Sequence, residues 1–94
     1  SNQNFSYRAL AQVARSVPQR VQFETLDFNG SNQIIITGLA FSDQDIINFI
    51  ANLNAKTLIN LATLQAMNVP QNTGDLQAAS SKKGFTILCK LKIS

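Results

Sequence analysis

The chain has 94 residues, 45% apolar and 14% charged, with eight Lys and Arg against five acids, no His and one Cys. That length makes one domain with one core, and such a composition excludes Ser-His and Cys-His catalysis, zinc sites built from Cys and His, and an internal disulfide. The net charge of +3 is dispersed, with no run of five basic residues, so the concentrated basic face on which nucleic-acid binding depends is absent from the pattern.

Ser1-Asn2 reads as a cleavage scar, and residues 1–4 are expected to be partly tag-derived or disordered. No signal peptide or apolar run of 18 residues is visible, so a membrane anchor is expected only upstream of the sequence given. Residues 5 to 17 read as an amphipathic helix. Leu10, Val13, Ala14 and Val17 recur at i, i+3, i+4 and i+7, while Arg8, Gln12 and Arg15 take the opposite face. Pro18 stops it, because proline lacks a backbone donor and disfavours helix at the residue before it.

Val21 to Phe28 reads as a strand whose apolar residues change parity after Thr25, which predicts a bulge near Thr25-Leu26. Asn29-Gly30-Ser31-Asn32 is a turn, and the strand Gln33 to Ala40 completes a hairpin. Ser42 caps the next helix, with Asp45 three residues on and Asp43 beside it suiting the positive helix start. Ile46, Phe49, Ile50 and Leu53 mark that helix's buried stripe, which ends near Asn54. A third strand is expected around Asn60 to Asn68. Residues 70–84, rich in Ser and Gln with Pro70, Gly74 and Gly84, are expected to form a long mobile hairpin loop. Phe85, Ile87, Cys89, Leu91 and Ile93 then alternate as the inward side of a last strand.

The order is α-β-β-α-β-β over residues 1–94. It predicts an α+β domain, a ferredoxin-like sandwich with a four-stranded antiparallel sheet and two helices on one face.

Little chemistry is on offer. Cys89 lies on the apolar parity of the last strand and reads as a core thiol. The glycines are too scattered for a phosphate loop. Lys83 to Lys90 begins like the RNA-recognition octamer, but Ile87 and Lys90 stand where its base-stacking aromatics belong. No catalytic, metal or cofactor-binding residues are assigned, and no nucleic-acid partner is expected. One pattern points to a partner protein. Ile34, Ile36, Gly38 and Ala40 share one parity of the second strand, so Ile35, Thr37, Leu39 and Phe41 fall on the other, near Leu88. These five are the candidate protein-interaction residues, because an open sheet face is usually more polar.

In this setting, several short patterns resemble the periplasmic domain of the PilN family of type IV pilus assembly proteins. They are Val17-Pro18 ending the first helix, Leu26 near the end of a strand, the strand Ile34-Ile35-Ile36-Thr37-Gly38-Leu39-Ala40, Ser42 to Ile46 entering a helix, and Phe85-Thr86-Ile87. The resemblance covers nearly the whole chain. It implies a non-enzymatic scaffold domain on the periplasmic side of the bacterial inner membrane, without cofactors. Such a domain pairs with itself or with a similarly folded PilO-like inner-membrane partner, and an upstream helix anchors it. The PilM-binding cytoplasmic segment of the family, its transmembrane helix and its coiled coil have no counterpart in the sequence given, and the 71–84 loop departs from the pattern. Two alternatives remain open. One is a related GspL-class platform component of type II secretion. The other is a BON-like periplasmic module whose Lys82, Lys83, Lys90 and Lys92 meet anionic lipid headgroups.

Overall fold

A computed structural model describes residues 2–30, 32–68 and 82–92, and side chains from Tyr7 onward within those ranges. The elements are α1 (Asn2–Ser16), β1 (Val21–Phe28), β2 (Gln33–Ala40), α2 (Asp43–Asn54), β3 (Ile59–Asn68) and β4 (Lys83–Leu91). The expected αββαββ order is observed. The strands form one four-stranded sheet in the order β1-β2-β4-β3, antiparallel throughout. β4 is thus inserted between β2 and β3, which α2 connects, giving the split βαβ arrangement of a ferredoxin-like α+β sandwich.

Alternation in the sequence decides which face the helices cover. Ile34, Ile36 and Ala40 of β2 are fully buried, as are Ile87 and Cys89 of β4, while the residues that alternate with them are partly buried or, at Lys90, exposed. Against them pack Ala9 and Val13 from α1 and Ile46, Phe49 and Leu53 from α2. Phe49 and Phe85 meet edge to face with ring centroids 5.9 Å apart. Gly38 makes room for that aromatic pair. A methyl group added there would lie 2.5 Å from the Gln22 carbonyl oxygen and 2.8 Å from Phe85 Cζ.

The β1–β2 turn is closed by Asn29 N–H donating to the Gln33 carbonyl at 2.9 Å, and Gly30 takes φ +79°, the left-handed conformation that glycine tolerates best. The expected bulge is present one residue earlier than its predicted place. The register slips between Phe23 and Thr25, so Glu24 is the extra residue. Phe23, Leu26 and Phe28 consequently pair with Gly38, Ile36 and Ile34 on the helix side of the sheet. β3 carries two further slips, at Asn60 and Gln65.

Ser42 caps α2 as expected. Its side chain accepts from Asp45 N–H at 3.3 Å and donates to the Asp45 carboxylate at 3.1 Å. At its other end, Asn54 brackets Ala62 of β3, donating to the carbonyl at 3.3 Å and accepting from the N–H at 2.9 Å. Those two bonds occupy backbone groups on an edge strand.

α1 departs from expectation. Its buried side is Ala9, Val13 and Ser16; Leu10 and Val17 are half-buried and Ala14 is exposed. The rotation follows polar groups. Gln12, expected on the outer face, donates to Thr57 Oγ1 at 2.9 Å and accepts from Leu58 N–H at 2.9 Å. Asn52 of α2 donates to the Ser16 carbonyl at 3.0 Å. These bonds pull α1 toward α2 and away from β1.

Asn2 to Asn4 fall within α1, and Ser1 lies outside the described residues. The expected mobile loop at 70–84 lies largely outside them too. Its last residues are a correction: Lys83 and Gly84 belong to β4, paired with Ala40 and Leu39.

Candidate functional site

Four strands with helices on one side leave the other side uncovered by any described element. The register lays that open face out in rows. Asp27, Ile35, Leu88 and Thr63 cross the sheet from β1 to β3 as one row. Thr25, Thr37, Thr86 and Ala66 form the next, and Gln22, Leu39, Gly84 and Asn68 the third. Beyond the first row, Gln33, Lys90 and Leu61 complete the face toward the β1–β2 turn. Within these rows only Asp27 and Lys90 are charged.

Four of the five expected interaction residues, Ile35, Thr37, Leu39 and Leu88, therefore share one face. Ile35 and Leu88 are direct cross-strand partners and partly buried by their neighbours. Thr37 is bracketed by Thr25, whose hydroxyl it hydrogen-bonds, and by Thr86. Leu39 leans toward Gly84, where its Cδ2 would lie 3.8 Å from an added methyl group. Phe41 stands apart from the other four. It follows the end of β2, is 47% exposed, and holds two cations against its ring, the Arg20 guanidinium at 5.1 Å and the Lys82 ammonium at 5.2 Å. Lys82 also donates to Gln22 Oε1 at 2.8 Å. Phe41 thus ends the face in a cation–aromatic cluster rather than extending its apolar centre.

The acids near that end serve the fold. Asp45, 6% exposed, accepts from Ser42 and pairs with Arg20 at 3.3 Å, while Asp43 pairs with Lys83 at 2.7 Å. Cys89 is fully buried, and burial pushes its thiol up to about 12, so a nucleophilic thiolate does not form there at neutral pH. The four lysines considered for a lipid surface do not gather. Lys82 and Lys83 open β4 while Lys90 and Lys92 close it, some 25 Å apart at the usual rise of a strand.

Sequence reasoning missed two apolar grooves on the helix side. The larger, about 510 Å³, is lined by Leu10, Val13, Ala14, Val17, Phe23 and Leu26. It is the gap left where α1 leans away from β1. The smaller, about 220 Å³, lies between α2 and β3 and includes Ile47, Ile50, Leu64 and Met67. A signal for the larger groove was available. Ala9, Val13 and Ser16 form a rival stripe at i, i+4 and i+7 with small residues, and small residues let two helices approach closely.

The rows, the split βαβ order and the Thr37-Gly38-Leu39-Ala40 strand now have their structural reasons. A comparison with family models matches the description "Fimbrial assembly protein (PilN)" over residues 8–91. The chain belongs to the PilN family. The match runs from within α1 to the end of β4 and so takes in all six elements. Family membership places the chain in fimbrial assembly. No curated protein matches it in sequence. In this PilN-family domain, none of the helices among the described residues is long and apolar enough to cross a membrane.

Proposed function

We propose that the chain is a non-enzymatic scaffold domain of a pilus-assembly complex. It stands on the periplasmic side of the bacterial inner membrane and pairs with a similarly folded PilO-like partner. The open sheet face, centred on Ile35, Thr37, Leu39 and Leu88 with Phe41 at its end, is the pairing surface. One observation carries this reading: the uncovered side of the sheet has an aliphatic and threonine centre, with one acid and one base within its rows. Depletion of charge at the centre with a polar rim is what distinguishes an interface from ordinary surface. An antiparallel sheet with one solvated face would ordinarily alternate apolar with strongly polar residues.

A scaffold of this kind needs no proton transfer or metal. It needs a rigid plate that presents one face to a neighbour while the core holds the plate flat. The test is a chromosomal Leu39→Asp substitution. A buried, unpaired carboxylate at the contact costs a few kcal/mol of association. The expected result is loss of surface pili and of partner co-purification, with the isolated domain still folded by circular dichroism. Normal piliation with normal co-purification contradicts the proposal.

A further inference from the structure

We infer that the outer edge of β1 is a second docking site, which adds an extended segment of another protein to the sheet. That segment alternates apolar side chains with Lys or Arg. The edge is separate from the open sheet face, so the inference goes beyond the pairing proposed above and does not rest on it.

Hydrogen-bond geometry leaves this edge available. Asn29 N–H donates to the Gln33 carbonyl, which makes these two a hydrogen-bonded pair. Such pairs alternate along an antiparallel ladder. Asp27 and Thr25 therefore bond inward to Ile35 and Thr37, while Leu26 and Phe28 turn their N–H and C=O outward. With Glu24 the extra residue of the bulge, Phe23 faces out as well. Val21 N–H, ahead of it, is satisfied by the Pro18 carbonyl at 3.1 Å. The bulge confines a regular ladder to the stretch between Thr25 and the β1–β2 turn, where Leu26 and Phe28 offer a donor and an acceptor each. The opposite edge of the sheet is blocked at Ala62 of β3, whose N–H and C=O are taken by Asn54. β1 lacks both that cover and the lysine or proline that commonly guards an exposed edge.

Side chains and charge define the occupant. Main-chain bonds hold an added strand, and the sites met by its alternate side chains select it. Residues that bond to Leu26 and Phe28 carry their side chains on the helix side, as those two do. There the groove of about 510 Å³ between α1 and β1, lined by Leu10, Ala14, Val17, Phe23 and Leu26 among others, is open to apolar side chains. Phe23 and Phe28, each 42% exposed on that side, gain cover from the same residues. The intervening residues fall on the other side, across from Asp27 and near Glu24. Both acids are exposed and neither joins a salt bridge among the described residues. β1 has no base, although the chain carries a net +3. A cation on the added strand lies within cross-strand reach of Asp27. The β1 edge of a second copy is a poor match, because it brings the same acids and sets like charge against like.

The test titrates short peptides into this chain, isotope-labelled for amide chemical shifts. One peptide alternates valine with lysine, and a second has the same composition in scrambled order. A third is the alternating peptide N-methylated at its valines, whose amides face β1. The alternating peptide is expected to bind at least about ten-fold more tightly than either control, with its largest shifts at Phe23, Leu26 and Phe28. Asp27→Lys, at an exposed position outside the core, is expected to weaken that binding at least about ten-fold. Equal binding of the scrambled or methylated peptide overturns the inference, as does no binding at millimolar concentration. Unchanged binding to Asp27→Lys overturns the basic half of the occupant. Shifts confined to Ile35, Thr37 and Leu88, or to β3, place the peptide elsewhere and also overturn it. Shifts at Phe23, Leu26 and Phe28 on diluting the chain alone assign the edge to a second copy and overturn the proposed occupant. None of these results bears on Leu39→Asp and piliation, which test the open face separately.

Discussion

Ser42 and Asp45 hold the start of α2 by reciprocal contacts, with the serine hydroxyl accepting from Asp45 N–H and donating to its carboxylate. The sequence spacing of a capping box anticipates this, but with a shorter acid the return bond goes to the hydroxyl rather than to the cap backbone. Ser42→Ala is expected to cost about 1 kcal/mol, read as a lowered urea midpoint at unchanged slope. Arg20, largely exposed, adds little to Asp45 through its ion pair, so Arg20→Ala should change stability by less than Ser42→Ala does. Cys89 offers a pH test. Its thiol is raised from 9.0 to about 12 by burial, so the folded chain keeps a proton that the unfolded chain releases. Below pH 9 the group contributes nothing to pH dependence; above it, stability falls as pH rises. Denaturant titrations should show that decline in wild type and a shallower one in Cys89→Val. A thiol reagent at neutral pH should modify Cys89 only after unfolding.

At the scale of elements, Gly38 shows how one residue joins two strands and the core. The glycine admits the Phe85 ring against β2, and Phe85 in turn meets Phe49 of α2. Gly38→Ala must move either the Gln22 carbonyl or that ring, at a cost of about 1–3 kcal/mol, measurable as a drop in thermal midpoint. β2 and β4 were legible in the sequence because their alternation is nearly unbroken and both lie in the middle of the sheet. α2 was legible from its cap and its Ile46, Phe49 and Leu53 stripe. α1 was legible as a helix but not in its rotation. Its Leu10 stripe is the more apolar, whereas the observed orientation follows the amides of Gln12 and Asn52, whose partners at Leu58 and Ser16 are set by tertiary structure. Gln12→Ala should therefore loosen α1, raising amide exchange in that helix while β2 and β4 remain protected. The bulge in β1 was foreseen from its parity change but displaced by one residue, since sequence parity alone does not say which residue is left over.

At the scale of the molecule, the αββ unit occurs twice, and the two units join their hairpins through β2 and β4 into one sheet. The helix side carries a groove between α1 and β1 and another between α2 and β3, so it is uneven. Of the five candidate interaction residues read from the sequence, Ile35, Thr37, Leu39 and Leu88 fall together on the opposite side of the sheet, and Phe41 lies beyond the end of β2. Phe41 among them is partly engaged by Arg20 and Lys82, contacts that residue spacing does not reveal. The grooves depend on how far α1 and α2 lean, and only the larger left a trace in the sequence, the small-residue stripe of Ala9, Val13 and Ser16. The most direct measurement is a map of backbone amide chemical shifts in this domain as its PilO-like partner is titrated in. The largest changes are expected at Ile35, Thr37, Leu39, Thr86 and Leu88. Changes confined to Leu10, Ala14, Phe23 and Leu26 would show that the contact forms on the helix side and contradict the account.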